Sequence, residues 1–154
     1  MKSPLIAIIV PTYNHEKFIG RCLRSLINQN IARDKYEIIV IDDGSTDKTR
    51  SALNVFMNDI VYIRNEQNMG LPAAINKGIA STRSPYVVRV DSDDYVNEHF
   101  LSVLFMFLSE NREIDAVSCD YLLVNDREEV IGRKNCMDEP IACGIMFRTD
   151  QLID

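Results

Sequence analysis

The chain has 154 residues, of which 46% are hydrophobic and 26% charged, and its net charge is −6. This length and composition are typical of one soluble globular domain with a sizeable core. Lys and Arg are scattered and form no basic block, so we expect no nucleic-acid partner, since phosphate neutralisation needs a basic footprint. The longest apolar runs fall far below the roughly 20 residues of a membrane span, which predicts no transmembrane segment.

Apolar residues recur along the chain with two alternating periods, one typical of buried strands and one typical of amphipathic helices. In chain order they predict a strand over 5–10, a helix over 18–27, a strand over 36–42, a helix carrying Leu53, Phe56 and Met57, a strand over 60–64, a helix over 72–80, a strand over 86–90 and a helix over 100–108. Ser45 or Thr46 is predicted to cap the second of these helices.

This alternation of strands and helices predicts an α/β fold with a mostly parallel sheet and helices on both of its faces. After Ile114 the pattern changes, because "AVSCDYLLV" and "EVIGRK" flank the turn-like "NDRE". We therefore expect a short antiparallel excursion near the C-terminus. The four cysteines have no CxxC spacing and are predicted to be reduced and mostly buried in the core of a cytoplasmic protein.

Polar residues follow each predicted strand, and in parallel sheets ligands bind outside the carboxyl ends of the strands. The four ends read "PTYN", "DDGS", "NEQNMG" and "DSDD". The last of them places Asp91, Asp93 and Asp94 within four residues, where their charges repel one another unless a cation is bound. Several carboxylates at one sheet edge therefore indicate a site for a divalent cation and an anionic ligand.

Simpler interpretations of these residues are also possible. One acid of "DSDD" can cap the next helix, but capping needs only one side chain. Asp42 and Asp43 can form a plain turn with Gly44. An EF-hand fits poorly, because Tyr95 stands at a ligand position, Val96 at the sharp-turn glycine and Ser102 at the bidentate glutamate. Tyr13 can be a half-buried boundary residue. Isolated histidines without ligand spacing, His15 and His99, are predicted to lie at the surface.

Four segments occur in an order and spacing that strongly resemble the family 2 glycosyltransferases. They are "IIVPTYNHEKFIGRCLRSLINQ", "YEIIVIDDGSTDKT", "NMGLPAAINKGI" and "VVRVDSDDYV", and the resemblance covers residues 5 to about 150. It implies the GT-A fold, with a Rossmann-like sheet, and transfer of a sugar from a nucleotide diphosphate sugar to an acceptor hydroxyl with inversion. A UDP-sugar is the favoured donor.

The resemblance also implies roles for single residues in the donor site. Asp93 is expected to bind Mg²⁺ or Mn²⁺ directly, and Asp91 to bind the ribose or the metal and its water shell, with Ser92 between them. Asp43 is expected to accept a hydrogen bond from the nucleotide base.

Residues of the first and third segments are expected to complete that site. Pro11 and Tyr13 are expected to contact the base, Gly70 to let the loop backbone approach the ligand, and Asn76 to stabilise that loop.

The domain organisation follows from the same resemblance. We expect one GT-A domain over residues 1–154, with a donor half over 1–95 and the start of a truncated acceptor half over 96–154. The general base is expected after Asp154. The implied acceptor is a carbohydrate or a lipid-linked molecule, and the implied location is the cytoplasm, including the inner face of the cell membrane.

One residue departs from the pattern of many relatives. Ile75 stands where they carry an arginine before the asparagine of the third segment, so a basic contact to the diphosphate is absent or supplied by another residue. Lys77, Arg83 and Arg89 are the candidates.

Two other functions stay open at this stage. A non-catalytic nucleotide-binding module would account for the absence of an identified base. A phosphohydrolase is disfavoured, because its acidic pair usually follows the first strand rather than the fourth.

Overall fold

The buried apolar runs of the chain form the parallel part of one central sheet. The structure is a computed structural model that describes residues 3–152. The parallel strands are β1 (Ile6–Thr12), β2 (Tyr36–Asp42), β3 (Val61–Arg64) and β4 (Tyr86–Arg89), and they lie in the order β3-β2-β1-β4. Every residue of β1 is buried, because this strand has a neighbour on each side and helices pack against the sheet.

Four further strands make the antiparallel part of the fold, two at the edge of the central sheet and two in a separate hairpin. β5 (Ala116–Val117) and β8 (Met146–Arg148) add to the edge at β4 and give the order β3-β2-β1-β4-β8-β5, while β6 (Tyr121–Val124) and β7 (Val130–Lys134) form a separate hairpin. The predicted antiparallel excursion is therefore confirmed. The antiparallel pairing of β8 with β4 was not predicted.

Helices cover both faces of the sheet, as the alternating pattern predicts. They are α1 (Ile19–Ile27), α2 (Thr49–Leu53), α3 (Leu71–Ala80) and α4 (Phe100–Glu110), joined by short 3-10 turns at Arg33–Lys35, Asn54–Phe56 and Thr149–Gln151. Helices α1, α2 and α4 share one apolar cluster with the sheet, and α3 packs on the opposite face. Among residues 3–152, no helix is both long enough and apolar enough to cross a bilayer.

Helix α3 approaches the sheet very closely at one glycine. A Cβ atom added to Gly78 would lie 2.6 Å from the Cγ2 atom of Ile9. Such a distance is far below a normal van der Waals contact, so only glycine allows this packing. The close approach brings the N-terminus of α3, which follows Gly70, near the end of β1.

Two local predictions were wrong. Neither Ser45 nor Thr46 caps α2, which begins at Thr49 without a side-chain cap. The reason is that the Ser45 hydroxyl instead accepts a hydrogen bond from the Asn14 amide at 3.0 Å, which joins two loops of the site. The cysteines are also not mostly buried in the core: Cys22 is buried, Cys119 is exposed, and Cys136 and Cys143 are partly buried.

Candidate functional site

A cleft of about 440 Å³ opens at the carboxyl ends of β1, β2 and β4. It lies where the strand order reverses between β1 and β4, which is the usual ligand position in open α/β sheets. Seven of the eight predicted site residues line this cleft, and they are Pro11, Tyr13, Asp43, Gly70, Asp91, Ser92 and Asp93. The eighth, Asn76, lies exposed on α3 and is not among the lining residues.

The shape of β1 explains why the cleft forms at this point. The last pair between β1 and β4 joins Ile9 to Arg89, whereas β1 stays paired with β2 as far as Thr12. Pro11 therefore lies beyond the contact with β4, where its missing N–H group costs no ladder hydrogen bond on that side. The two strands part here, and the space between them becomes the cleft.

Asp43 is buried in the wall of the cleft, and three donors fix its carboxylate. One oxygen accepts hydrogen bonds from the Asn65 side-chain amide at 2.7 Å and from the Met69 backbone at 3.0 Å. The other oxygen accepts one from the Gly70 backbone at 2.8 Å. A carboxylate has about four acceptor positions. The second oxygen of Asp43 therefore keeps an acceptor position for a ligand in the cleft.

Two glycines allow the loops around Asp43 to take this arrangement. Gly44 has a φ of 76°, and a Cβ atom added there would lie 2.6 Å from the backbone carbon of Gln67. Gly70 has a φ of 89° and directly precedes α3. Both backbones lie in the left-handed region that favours glycine. These glycines bring the loop that follows β3 onto the turn that follows β2, so that its amides reach Asp43.

Lys77 contacts Asp43 indirectly, through the side chain of Asn65. The Lys77 ammonium group donates a hydrogen bond to the side-chain oxygen of Asn65 at 2.6 Å, and the Asn65 amide in turn donates to Asp43. This chain of contacts fixes the orientation of the Asn65 amide and places a positive charge two contacts away from the Asp43 carboxylate. Lys77 is therefore engaged with the wall of the cleft and does not itself line it.

Asp42, the neighbour of Asp43, has a different environment. Its carboxylate is fully buried and accepts hydrogen bonds from the Ser45 backbone, the Tyr62 hydroxyl and the Arg64 guanidinium at 2.8, 2.7 and 2.6 Å. Burial and the hydrogen bond to Asp42 raise the pKa of Tyr62. Asp42 therefore shapes the turn, whereas Asp43 faces the cleft.

Asp91 follows β4 and is paired with an arginine. Its two oxygens accept hydrogen bonds from the Nε and Nη2 atoms of Arg89 at 2.6 and 2.8 Å. Both side chains are partly buried and both residues line the cleft. Of the three candidate cations named from the sequence, Arg89 is the one that reaches the cleft. Arg83 is exposed in the loop before β4, at the opposite end of that strand.

The remaining acids of "DSDD" differ in their surroundings. Asp93 is exposed, and its backbone carbonyl accepts a hydrogen bond from Arg21 at 2.8 Å, which fixes the loop. Asp94 also lies at the surface, yet partial desolvation together with the charges of Asp93 and Asp91 raises its pKa. Ligand atoms of Asp91, Asp94 and Cys143 lie within 4.8 Å of one another. This grouping differs from the predicted pair of Asp91 and Asp93.

The chemistry of these donors decides which of them fit a cation such as Mg²⁺ or Mn²⁺. Hard cations prefer carboxylate oxygens. Burial raises the pKa of the Cys143 thiol, and sulfur is a soft ligand that suits such hard cations poorly. The carboxylates of Asp91 and Asp93 line the cleft and fit such an ion, although Asp91 must share its oxygens with Arg89.

His15 was predicted to lie at the surface, and that prediction was wrong. Its side chain is partly buried, it lines the cleft, and its Nδ1 atom lies 2.6 Å from the Ser92 hydroxyl. Its backbone amide also donates a hydrogen bond to Thr49 at 2.9 Å. The contact with Ser92 joins the loop after β1 to the loop after β4, and the contact with Thr49 joins it to α2. The sequence signal that could have placed His15 in the cleft is its position directly after the strand end "PTYN". Tyr13 is 41% exposed at the mouth of the cleft.

Solved structures resemble this chain over most of its length. S. aureus TarS 1-349 matches with a TM-score of 0.80 and 28% identity, over 96% of this chain and 48% of that one. Its complex with UDP-GlcNAc gives a TM-score of 0.79. Mannosyltransferase PcManGT from Pyrobaculum calidifontis, in complex with GDP-Man and Mn²⁺, matches with a TM-score of 0.70 and 28% identity, over 83% of this chain and 38% of that one.

Sequence comparisons agree with the structural ones. A poly(ribitol-phosphate) beta-glucosyltransferase from Bacillus spizizenii is 39% identical over 111 residues, which are 70% of this chain and 18% of that protein. The chain thus spans less than half the length of these relatives. The GT-A fold implied by the four sequence segments is confirmed. The glycosyl transferase family 2 profile matches residues 7–143, and the chain belongs to that family.

Proposed function

We propose that the cleft binds a nucleotide diphosphate sugar, with a UDP-sugar favoured, and that the sugar passes to an acceptor hydroxyl with inversion. The observation that carries this proposal is the carboxylate of Asp43. Three donors fix it, it lines the cleft, and one acceptor position stays available. Family membership and the UDP and UDP-GlcNAc complexes of the similar S. aureus TarS support the same conclusion.

The available acceptor position of Asp43 suits a uracil base. Uracil presents an N3–H donor, whereas N3 of cytosine is an acceptor that a carboxylate would repel. Pro11 and Tyr13, at the end of β1, contact the edge and the face of this base. Gly70, which has no side chain, lets the loop backbone approach the nucleotide. Base selection thus depends on the turn after β2 and the loop after β3.

The other end of the donor lies at the loop after β4. Asp93 holds Mg²⁺ or Mn²⁺, and Asp91 contacts the ribose or the metal and its water shell, with Ser92 buried between them. When bound, the metal stabilises the negative charge that develops on the departing diphosphate. The Mn²⁺ complex of PcManGT supports metal binding in this fold.

The acceptor is a carbohydrate or a lipid-linked molecule, and the protein acts in the cytoplasm or at the inner face of the cell membrane. The similar Bacillus spizizenii protein is named for a poly(ribitol-phosphate) acceptor. In this proposal residues 1–95 form the donor half, and residues 96–154 begin the acceptor half. The location of the general base after Asp154 stays a prediction, and Asp154 itself lies outside the described residues.

Calorimetric titration with UDP, GDP, CDP and dTDP, each with and without Mn²⁺, tests this proposal. We expect UDP to bind more tightly than CDP and Mn²⁺ to strengthen UDP binding. Asp93→Ala should abolish the effect of Mn²⁺, and Asp94→Ala should reduce it less. Asp34→Ala is the matched control, because Asp34 lies in an exposed turn before the opposite end of β2. If UDP does not bind, or if Asp93→Ala retains the full effect of Mn²⁺, the proposed site is wrong.

An assay for slow hydrolysis of a UDP-sugar, or for transfer of its sugar to an acceptor, distinguishes an enzyme from a non-catalytic binding module. A module that only binds would give the same titrations and no release of sugar.

A further inference from the structure

The charges that line the cleft are strongly unbalanced. Asp43, Asp91 and Asp93 all line it, and among the described residues the only lysine or arginine that does so is Arg89. A diphosphate that enters such a site meets three carboxylates. A divalent cation offsets part of this repulsion, but a single ion does not balance three carboxylates and a diphosphate. The cleft therefore needs a further positive group near the diphosphate.

The strand that carries Arg89 determines where its side chain points. Val88 and Val90 pack in the apolar cluster beneath α1 and α4, while Val87 packs in the cluster beneath α3. Because side chains alternate along a strand, Arg89 lies on the α3 face, at the carboxyl end of β4. It also lines a second, smaller groove of about 180 Å³ on that face.

Ile75 of α3 lines the same second groove as Arg89. Arg89, unlike Ile75, also lines the main cleft. The two observations together place one arginine between the α3 face and the loop after β4.

The contacts of Arg89 leave it able to bind a second anion. Its Nε and Nη2 atoms donate to Asp91, and among the described residues no hydrogen-bond partner is found for Nη1. A guanidinium has five N–H donors, so three remain after this bidentate contact. Guanidinium groups suit diphosphate oxygens because they can donate two parallel hydrogen bonds to them.

We propose that Arg89 is the side chain that contacts the donor diphosphate, and that Asp91 holds its guanidinium at the edge of the cleft before the donor binds. This inference rests on the proposed function, since a diphosphate must enter this cleft. It gives Asp91 a second role as the positioning residue of Arg89.

Calorimetry with UDP and with uridine, both in the presence of Mn²⁺, tests the contact. Arg89→Gln should weaken UDP binding by about 10- to 100-fold, the range of a hydrogen bond between charged groups, and should leave uridine binding unchanged. Arg89→Lys should restore part of the loss, because it keeps the charge without the bidentate geometry. Arg83→Gln is the matched control, since it removes an exposed arginine at the other end of β4.

Arg89→Gln in an Asp91→Asn background distinguishes a direct contact of Arg89 with the diphosphate from neutralisation of the Asp91 charge by Arg89. If Arg89 contacts the diphosphate, Arg89→Gln still weakens UDP binding in that background. If it only neutralises Asp91, the substitution has no further effect there, and the inference is overturned. An equal loss for UDP and uridine overturns it as well. If the parent protein binds neither probe, the proposed function fails together with this inference, whereas UDP binding that is indifferent to Arg89→Gln removes the inference alone.

Discussion

Replacing Asp43 by asparagine changes one charged acceptor in the wall of the cleft and keeps the size of the side chain. In the parent protein the carboxylate accepts hydrogen bonds from Asn65, Met69 and Gly70. Asparagine has one oxygen and one NH₂ group in place of two oxygens. At least one of these donors then faces an N–H group. The substitution therefore disturbs the loop and the ligand contact together.

The two effects have different expected sizes. A buried donor that loses its acceptor costs about 1–3 kcal/mol, so the free energy of unfolding should fall by about that amount. Since domains of this size are stable by about 5–15 kcal/mol, the variant should stay folded. Loss of a charged acceptor for the uracil N3–H should weaken UDP binding by about 1.5–3 kcal/mol, which is roughly 10- to 150-fold.

Base selectivity distinguishes recognition from a simple loss of loop structure. Calorimetry should show that Asp43→Asn lowers the ratio of UDP affinity to CDP affinity, because an amide can also donate to N3 of cytosine. A distorted loop would weaken both nucleotides equally. Urea unfolding of the same variant measures the stability loss separately. Unchanged UDP affinity, or an unchanged ratio between the two nucleotides in a folded variant, would refute base recognition by Asp43.

Three further substitutions test how the site is supported. Gly44→Ala should lower the free energy of unfolding by about 2–5 kcal/mol in urea titrations, because its left-handed backbone and its contact with the Gln67 backbone both oppose a Cβ atom. Gly78→Ala should cost less, about 1–2 kcal/mol, because a gain in helix propensity offsets part of the clash with Ile9; a stabilised variant would show that α3 can move away. Lys77→Met should weaken UDP binding about 2- to 10-fold, because the Asn65 amide that donates to the Asp43 carboxylate is no longer fixed; an unchanged affinity would show that this support is unnecessary.

The parallel part of the fold could be predicted because its strands are continuous apolar runs. The predicted strand over 36–42 agrees with β2 (Tyr36–Asp42), which is buried along most of its length. By contrast, β8 has only three residues and pairs with β4 across about 60 residues of chain. So short a segment carries no recognisable period, and its pairing depends on tertiary contacts.

The position of the candidate site could also be predicted, because polar strand ends of a parallel sheet meet at one edge. The contacts within the site could not. Asp42 and Asp43 are adjacent in sequence, yet Asp42 is bound by Arg64 and Asp43 by backbone amides. The pairing of His15 with Ser92 joins loops that are 77 residues apart. Such contacts depend on loop geometry, for which the sequence supplies only indirect signals such as Gly44 and Gly70.

A crystal structure of this chain with UDP and Mn²⁺ tests the central claim most directly. The account predicts the uracil N3 atom within hydrogen-bond distance of the Asp43 carboxylate, the metal on Asp93, and the diphosphate beside the Arg89 guanidinium. UDP bound outside this cleft, or bound in it with the base away from Asp43, would contradict the account.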